Sequence, residues 1–258
     1  MSWAMRRRVL YVTGVAAFFL IVFGGPLAYK YFTIPPTCTD GIQNQGETGV
    51  DMGGPCPLVD ERSLSPSAIL WTRAFRVRDG SYNAVAYIQN PNESAGVRNV
   101  HYKFRLYDAQ NVIVAEREGD TFVMPGGITP VLEGQISTGN RVAARAFFDF
   151  TDALLWEHMD DATKAVSISN KKVETDTSPR ISADVENVSV GTVSDLSVVA
   201  VVFDTAGNAF AASATHVDRL GAGEKRNIVF TWPDSFALAV GRVDIIPLLA
   251  PVSLMEAQ

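Results

Sequence analysis

An uncharged stretch near the N-terminus constrains this chain more than any other feature. No charged side chain occurs between Val9 and Tyr29. As a helix, a stretch of this length spans about 30 Å, the thickness of the hydrocarbon core of a bilayer. The core helix of a soluble domain normally carries a polar stripe, and this stretch has none. The sequence therefore predicts a transmembrane helix, and we assign residues 1–30 to a membrane anchor.

The charges beside the stretch predict its orientation. Three arginines, Arg6, Arg7 and Arg8, stand directly before it, whereas only Lys30 follows closely. Because positive residues stay on the cytoplasmic side, we expect a single-pass protein of the cell membrane with a cytoplasmic N-terminus and extracytoplasmic C-terminal domains. Tyr29 lies where an aromatic ring favours the headgroup region. A cleaved signal peptide is the alternative, although the residues after the apolar core match a cleavage site poorly.

The remainder of the chain is acidic. The 258 residues include 22 basic and 28 acidic side chains, for a formal net charge of −6, and the N-terminal tip holds several of the bases. Binding to nucleic acid needs clustered Lys and Arg, so we expect no nucleic-acid partner. Three isolated His and two Cys do not supply the four closely spaced ligands of the common zinc sites.

A polar segment bracketed by Cys38 and Cys56 follows the anchor. It is rich in Gly, Asn, Asp and Gln and has almost no apolar residues, so it cannot form a core alone. Two cysteines outside the cytoplasm most simply form one disulfide. We therefore predict a disulfide-closed acidic loop within a linker of residues 31–66.

The acidic loop, residues 38–56, also contains oxygen ligands of the kind that calcium binds. Asp40, Asn44, Glu47 and Asp51 supply them, although their spacing is not that of an EF-hand. Two interpretations stay open, a calcium site and a solvated acidic turn held by a disulfide. No other cofactor is expected.

The same segment resembles a short Cys-rich motif of many surface proteins, written C-x-D-G-x-x-N-x-x-E-x-x-x-D-C-G-G-x-C-x-x-C. Its Asp-Gly, Asn, Glu, Asp and Gly-Gly positions all fall in step with this chain. Met52 and Val59 stand where the motif has its second and fourth cysteines. Because both cysteines are replaced together, the resemblance implies that the second and fourth cysteines of the motif form a disulfide with each other. Cys38 and Cys56 would then form the remaining disulfide.

Beyond residue 66 the hydrophobic pattern changes to a period of two. Segments rich in aromatic and β-branched residues alternate with polar turns. The predicted strands are 82–88, 101–107, 145–150, 181–185, 196–203, 209–214, 226–232 and 243–248. Short strands at this spacing suit Ig-like β-sandwiches and predict an all-β fold.

This region divides into two similar halves. The number of residues between Asn90 and Asp108 is similar to that between Asn187 and Asp204. We interpret both aspartates as acceptors of hydrogen bonds from turn amides. We predict two tandem Ig-like β-sandwich domains, residues 67–175 and 176–258, with the polar stretch 170–180 as the seam. A short helical segment is expected before the last strand of each half, at 152–159 and 234–240.

The first half resembles the FxLYD domain, a small β-sandwich common on membrane-anchored proteins of bacteria and archaea. Residues 104–108 read Phe-Arg-Leu-Tyr-Asp, the motif that gives the domain its name, and residues 202–207 look like a degenerate second copy. The Asn-Pro-Asn of residues 90–92 is also similar to the LEA-14-type domains of plants. The resemblance implies a fold rather than a function.

Candidate catalytic residues are sparse in this sequence. The three His lie far apart, and HExxH, P-loop, GxGxxG and nucleophile-elbow motifs do not occur. Glu157 and His158 can be drawn as an acid–base pair, but we interpret them as part of a half-exposed helical turn. The strand aromatics are interpreted as core because each buries a large area.

These observations predict a non-catalytic, membrane-anchored interaction or scaffold protein of the cell envelope, and no enzyme. The expected partners are the lipid bilayer and an unidentified membrane or envelope protein, bound through strand edges or loops. A homo-oligomer formed through the same edges is an alternative. A small-ligand or calcium-binding surface receptor is the second function that stays open.

Overall fold

The computed structural model describes residues 3–33, 37–176 and 178–253. The chain forms two compact units, Met1–Cys56 and Pro57–Gln258. Within the described residues, the first unit contains the apolar helix and the acidic loop, and the second contains the β-strands. The predicted all-β fold with an N-terminal apolar helix is confirmed.

The predicted anchor forms a helix over Trp3–Tyr29, long and apolar enough to cross a membrane, with none of its most apolar stretch buried. It consists of α1 (Trp3–Phe19), a π-helical turn (Leu20–Gly24) and α2 (Gly25–Thr33). Pro26 has no N–H to donate to the carbonyl of Val22, and the helix widens directly before this proline. The π-turn therefore has a local cause in the sequence.

Fourteen strands are described in the second unit. They are β1 (Ala68–Arg78), β2 (Ser81–Gln89), β3 (Ala95–Tyr107), β4 (Ile113–Val123), β5 (Ile128–Ser137), β6 (Arg145–Phe150), β7 (Trp156–Asp160), β8 (Val166–Glu174), β9 (Arg180–Asn187), β10 (Val193–Asp204), β11 (Ala209–Leu220), β12 (Lys225–Thr231), β13 (Val240–Leu248) and β14 (Val252–Ser253). Short 3₁₀ helices occur at Glu61–Ser63 and Ala162–Ala165.

The first sandwich consists of two sheets packed over one core. One sheet has the order β1-β2-β5. In the other, β3 pairs with β4, with β6 and with β7, and β14 pairs with β7. Phe104, Leu106 and Phe148 are buried between the sheets, and the ring centroids of Phe104 and Phe148 lie 4.9 Å apart. These residues are core, as the alternation in their strands predicted.

The second sandwich repeats the order of six strands of the first. Its sheets are β8-β9-β12 and β11-β10-β13, so β8 to β13 take the places of β1 to β6, whereas β7 and β14 both belong to the first sandwich. Ile181, Leu196 and Phe230 are buried in its core.

The two sandwiches lie face to face and share a third apolar cluster. Phe75, Val85 and Tyr87 contribute from the sheet β1-β2-β5, and Val201 and Phe203 from the sheet β11-β10-β13. Four sheets therefore stack in layers, and both faces of the two middle sheets are covered. This double burial explains the almost continuous buried runs along β2 and β10.

Two predictions of helix are wrong. Residues 152–159 lead into β7, and residues 234–240 form bends that end in β13. Trp156 and Met159 are buried three residues apart, a spacing that imitates a helical turn. The pairing of β7 with Ala95, Gly96 and Val97 of β3 decides in favour of a strand.

The second core begins earlier in the chain than the expected seam at 170–180. Residues 170–174 belong to β8, which pairs with β9. Ala162, Ala165, Val166 and Ile168 already pack against the second core. The chain therefore passes from one core to the other near the 3₁₀ helix Ala162–Ala165.

Candidate functional site

Cys38 and Cys56 form the predicted disulfide, with their Cα atoms 5.5 Å apart. The bond closes the acidic loop, in which Cys56 is buried. Gly53 has a φ of 74°, and a Cβ there would lie 2.2 Å from Thr48 Oγ1. This close turn therefore requires glycine.

Two of the predicted calcium ligands bind the backbone of the acidic loop. Both carboxylate oxygens of Asp51 accept the N–H of Gly41, at 3.0 and 3.2 Å. Asp40 Oδ1 accepts the N–H of Ile42 at 2.8 Å, and its Oδ2 accepts the side-chain amide of Asn44 at 2.9 Å. The bond from Asn44, with that from Ile42, lowers the pKa of Asp40. These two carboxylates therefore stabilise the conformation of the loop through hydrogen bonds within it.

Glu47 is the buried carboxylate of the acidic loop, with 6% of its surface exposed. Its Oε2 accepts the backbone N–H of Asn44 at 3.1 Å and of Asp51 at 3.3 Å. Its Oε1 lies 3.0 Å from Cys56 Sγ. That sulfur has no hydrogen to donate because it belongs to the disulfide.

The predicted calcium ligands are not all brought together. Among the described residues, one group of His, Cys, Asp and Glu ligand atoms lies within 4.8 Å, that of Cys38, Glu47 and Cys56. Its two sulfurs are oxidised, so they offer no thiolate to a metal. Asp40 and Asp51 stand outside the group. In the part of the chain that the structure describes, no second carboxylate joins Glu47 in this group.

Removal of the disulfide, by Cys38→Ser together with Cys56→Ser, should loosen the acidic loop and leave the sandwiches intact. In the chain-entropy model, a disulfide that closes a loop of this size contributes about 3 kcal/mol. The sandwiches should be unaffected because the loop lies in a different unit from the strands. Amide hydrogen exchange should become faster in residues 38–56 and stay unchanged in β2 and β10. Faster exchange along both strands would contradict this local role.

The predicted anchor residues lie at the two ends of the apolar helix. Arg6, Arg7 and Arg8 are exposed in the first turns of α1, and Tyr29 is exposed in α2. The guanidinium of Arg7 lies over the ring of Trp3, 4.1 Å from its centroid, a favourable cation–π contact.

A buried asparagine fixes the corresponding turn of each sandwich. Asn90 and Asn187 are both completely buried. The side-chain amide of Asn187 donates to the carbonyls of Gly191 at 2.7 Å and Leu220 at 2.9 Å. That of Asn90 donates to two carbonyls in the same way, at 2.7 and 2.8 Å. The sequence marks these residues as the start of matching intervals and as polar groups of turns, and their role in joining separate chain segments was missed.

An aspartate closes the turn after β3 and again at the end of β10. Asp108 Oδ1 accepts the N–H of Gln110 at 3.0 Å and of Val112 at 2.9 Å. Asp204 Oδ1 accepts the N–H groups two and four residues after it, at 2.9 and 2.8 Å. The N–H of Val112 is the largest cause that lowers the pKa of Asp108. The interpretation of both aspartates as acceptors for turn amides is confirmed.

The joint between the sandwiches consists of Trp71, Tyr87, Phe203, Arg242 and Asp244. The rings of Trp71 and Tyr87 stack at 4.8 Å, and Phe203 meets each of them edge-on at 6.2 Å. Arg242 lies 4.1 Å from the centroid of Phe203 and binds Asp244 at 2.9 Å. The hydroxyl of Tyr87 donates to Asp244 at 2.8 Å. The joint therefore combines aromatic packing with a hydrogen-bonded ion pair.

Tyr87 should make the stability of the joint depend on pH. Burial, followed by the hydrogen bond to Asp244, raises the pKa of its hydroxyl far above the ordinary value of about 10. The unfolded chain then loses this proton first, so the free energy of unfolding should fall above about pH 10 and be unaffected below it. Tyr87→Phe should reduce the slope by about 1.4 kcal/mol per pH unit in urea titrations. An unchanged slope would contradict this assignment.

Two grooves run along β13. One, of about 880 Å³, is lined by residues 125–128, by part of the segment 161–164 and by the second half of β13. The other, of about 790 Å³, lies between β8 and residues 236–243. Asp161 in the first groove accepts the N–H of Thr163 at 2.9 Å. Asp244, which also lines the first groove, is held in the joint.

The free edge of β13 is protected against pairing with a further strand. Lys171 Nζ donates to the carbonyl of Val243 at 2.8 Å and occupies that acceptor. Pro247 lies within the same strand and has no N–H. A lysine and a proline on an edge strand are typical protection against strand addition.

Glu157 and His158 do not converge as an acid–base pair. They are consecutive residues of β7, so their side chains point to opposite faces of the sheet. Glu157 Oε2 lies 3.3 Å from Arg98 Nη2. The arrangement is that of a surface ion pair.

Comparison with known proteins gives no family for this chain. No family model matches it, and no curated protein matches it by sequence. Among solved structures, red sea bream transglutaminase is 8% identical with a TM-score of 0.25, covering 72% of this chain and 30% of the enzyme. A Bacteroides uniformis beta-glucuronidase is 13% identical with a TM-score of 0.19, covering 68% of this chain and 22% of the enzyme. The chain thus spans less than a third of either enzyme.

Proposed function

We propose that this chain is a non-catalytic, membrane-anchored scaffold of the cell envelope whose β-sandwiches lie outside the cytoplasm. The observation that carries the proposal is the apolar helix Trp3–Tyr29, whose most apolar stretch has no protein covering. A lipid bilayer is the environment that removes such a surface from water. Arg6, Arg7 and Arg8 would hold the N-terminus in the cytoplasm.

The joined sandwiches suit a scaffold because their surfaces keep a fixed relation to each other. The third apolar cluster and the joint tie them together. We also propose that they are a tandem repeat of one FxLYD-like unit. The matching strand orders, buried asparagines and turn aspartates support this proposal.

We infer that partners bind the exposed faces and loops of the sandwiches rather than the edge of β13. Lys171 and Pro247 make that edge a poor template for strand addition. The sheet that contains β3 offers a broad outer face instead, with ion pairs such as Lys103–Glu118 at 2.5 Å. Charged outer faces favour a partner of complementary charge.

Reversible cross-linking on intact cells, followed by capture of the full chain, tests the scaffold role. We expect one dominant membrane or envelope protein in a constant ratio to this chain. Cells treated identically without the cross-linker are the control for adventitious capture. Recovery of this chain without any other protein would contradict the proposal.

A further inference from the structure

The outer face of the first sandwich carries an exposed aromatic patch, which consists of Tyr107, Ile113 and Phe147. Tyr107 of β3 pairs with Ile113 of β4, and the ring of Phe147 of β6 lies 5.3 Å from that of Tyr107. Phe147 is 52% exposed and Ile113 44%. Contiguous exposed apolar patches with a polar rim are a feature of protein interaction sites.

The corresponding surface of the second sandwich is already a docking face within this chain. Phe203 pairs with Ala209 in the second sandwich as Tyr107 pairs with Ile113 in the first. Phe203 is 3% exposed and Ala209 5%, because both pack against the first sandwich. The aromatic patch on the first sandwich is therefore exposed, whereas the corresponding surface of the second sandwich is buried against the first.

Two opposite charges flank the aromatic patch. Arg145 of β6 pairs with Tyr107 in the ladder, and Glu116 of β4 pairs with Arg105, so the two charges lie on opposite sides of β3. Both are exposed. No side-chain ion pair joins either to another described residue. Arg242, which holds the place of Arg145 in the second sandwich, has its partner in the joint.

We propose that two copies of this chain associate through the aromatic patch, with Arg145 of each copy beside Glu116 of the other. A two-fold axis along β3 places β4 of one copy over β6 of the other, which brings the acidic side to the basic side. The aromatic centre is then withdrawn from water inside a charged rim, the usual anatomy of a protein interface. The association requires only a second copy and does not rest on the scaffold role, but it covers the outer face that we propose for partners, so a second copy and a partner compete for this face.

Cross-linking of the full chain in membranes with a short bis-maleimide tests the arrangement. Lys103→Cys places a thiol on the outer face of β3, beside the two-fold axis, and the chain has no other free cysteine. Val190→Cys is the matched control, fully exposed on the second sandwich. We expect at least about ten-fold more dimer from Lys103→Cys than from the control. Equal yields would overturn the proposal.

A charge exchange separates this interface from association through the membrane helix. In the Lys103→Cys chain, Arg145→Glu should reduce the dimer about ten-fold, and addition of Glu116→Arg should restore it. Failure of the double substitution to restore the dimer would overturn the proposal.

If the cysteine variant does not fold, light scattering of the unmodified chain in nanodiscs provides the test instead. A dimer mass that Arg145→Glu converts to a monomer supports the interface, and a monomer mass overturns it.

Discussion

Replacement of Asn187 by alanine is expected to lower the free energy of unfolding by about 3 kcal/mol. Its amide donates to the carbonyls of Gly191 and Leu220, and its Oδ1 accepts the N–H of Ser189 at 2.9 Å. Because Asn187 is completely buried, water cannot replace these bonds without opening the turn. Urea denaturation of the full chain in detergent measures the loss.

Asn227→Ala is the matched control for this prediction. Asn227 is exposed in β12 and donates to Asp184 Oδ1 at 2.9 Å and to the carbonyl of Ala183 at 3.3 Å, on the surface of the same sandwich. Its replacement should change the free energy of unfolding by no more than about 0.5 kcal/mol. Equal losses at the two positions would contradict the assignment of Asn187 as a buried tie between chain segments.

Phe203→Ala is expected to lower the free energy of unfolding by about 3–5 kcal/mol. Phe203 is 3% exposed and lies between Trp71, Tyr87 and Arg242, so its removal leaves a cavity in the joint. The two sandwiches should then lose part of their mutual stabilisation. Hydrogen exchange should rise in both β2 and β10, whose outer faces meet at the joint.

Tyr107→Ala offers the internal control for Phe203→Ala. Both residues precede the turn aspartate of their sandwich, yet the ring of Tyr107 lies on the outer face, beside exposed Phe147. Its loss should cost about 1 kcal/mol. If the two substitutions cost the same, the apolar cluster between the sandwiches does not stabilise the chain.

Two of the strands that the sequence analysis missed carry several charges. Among the missed strands, β4 carries Glu116, Glu118 and Asp120 at outward positions, and β8 carries Lys171 and Lys172. Strands β1, β4, β5 and β8 lie at the edges of their sheets. Edge strands tolerate charge and proline because these residues prevent unwanted pairing. The charges that protect the edges formed by β4 and β8 therefore hide these two strands from a hydrophobic pattern.

The joint could not be predicted because its parts lie far apart in sequence. Val199, Val201 and Phe203 alternate with residues of the second core along β10, so both faces of this strand are apolar. The pattern indicates burial on both sides but not what covers the second side. Tyr87, which lies more than a hundred positions earlier, supplies part of that cover.

In the acidic loop, too, the sequence predicts part of the structure but not the contacts of individual side chains. Cys38 and Cys56 could be paired because the chain has no other cysteine. The roles of Asp40, Glu47 and Asp51 depend on which backbone N–H groups each carboxylate meets. That outcome is set by a run of left-handed residues, Gly41, Gln45 and Gly46 among them, and not by spacing alone.

The central claim is that the chain is anchored in the membrane with its sandwiches outside the cytoplasm. Thiol labelling of intact cells tests this claim most directly. Val190→Cys and Ala4→Cys each supply one free thiol, on the second sandwich and before the apolar stretch respectively. A membrane-impermeant maleimide should label Val190→Cys on intact cells and Ala4→Cys only after permeabilisation, with both chains remaining in the membrane fraction. Labelling of Ala4→Cys on intact cells, or recovery of either chain in the soluble fraction, would contradict the account.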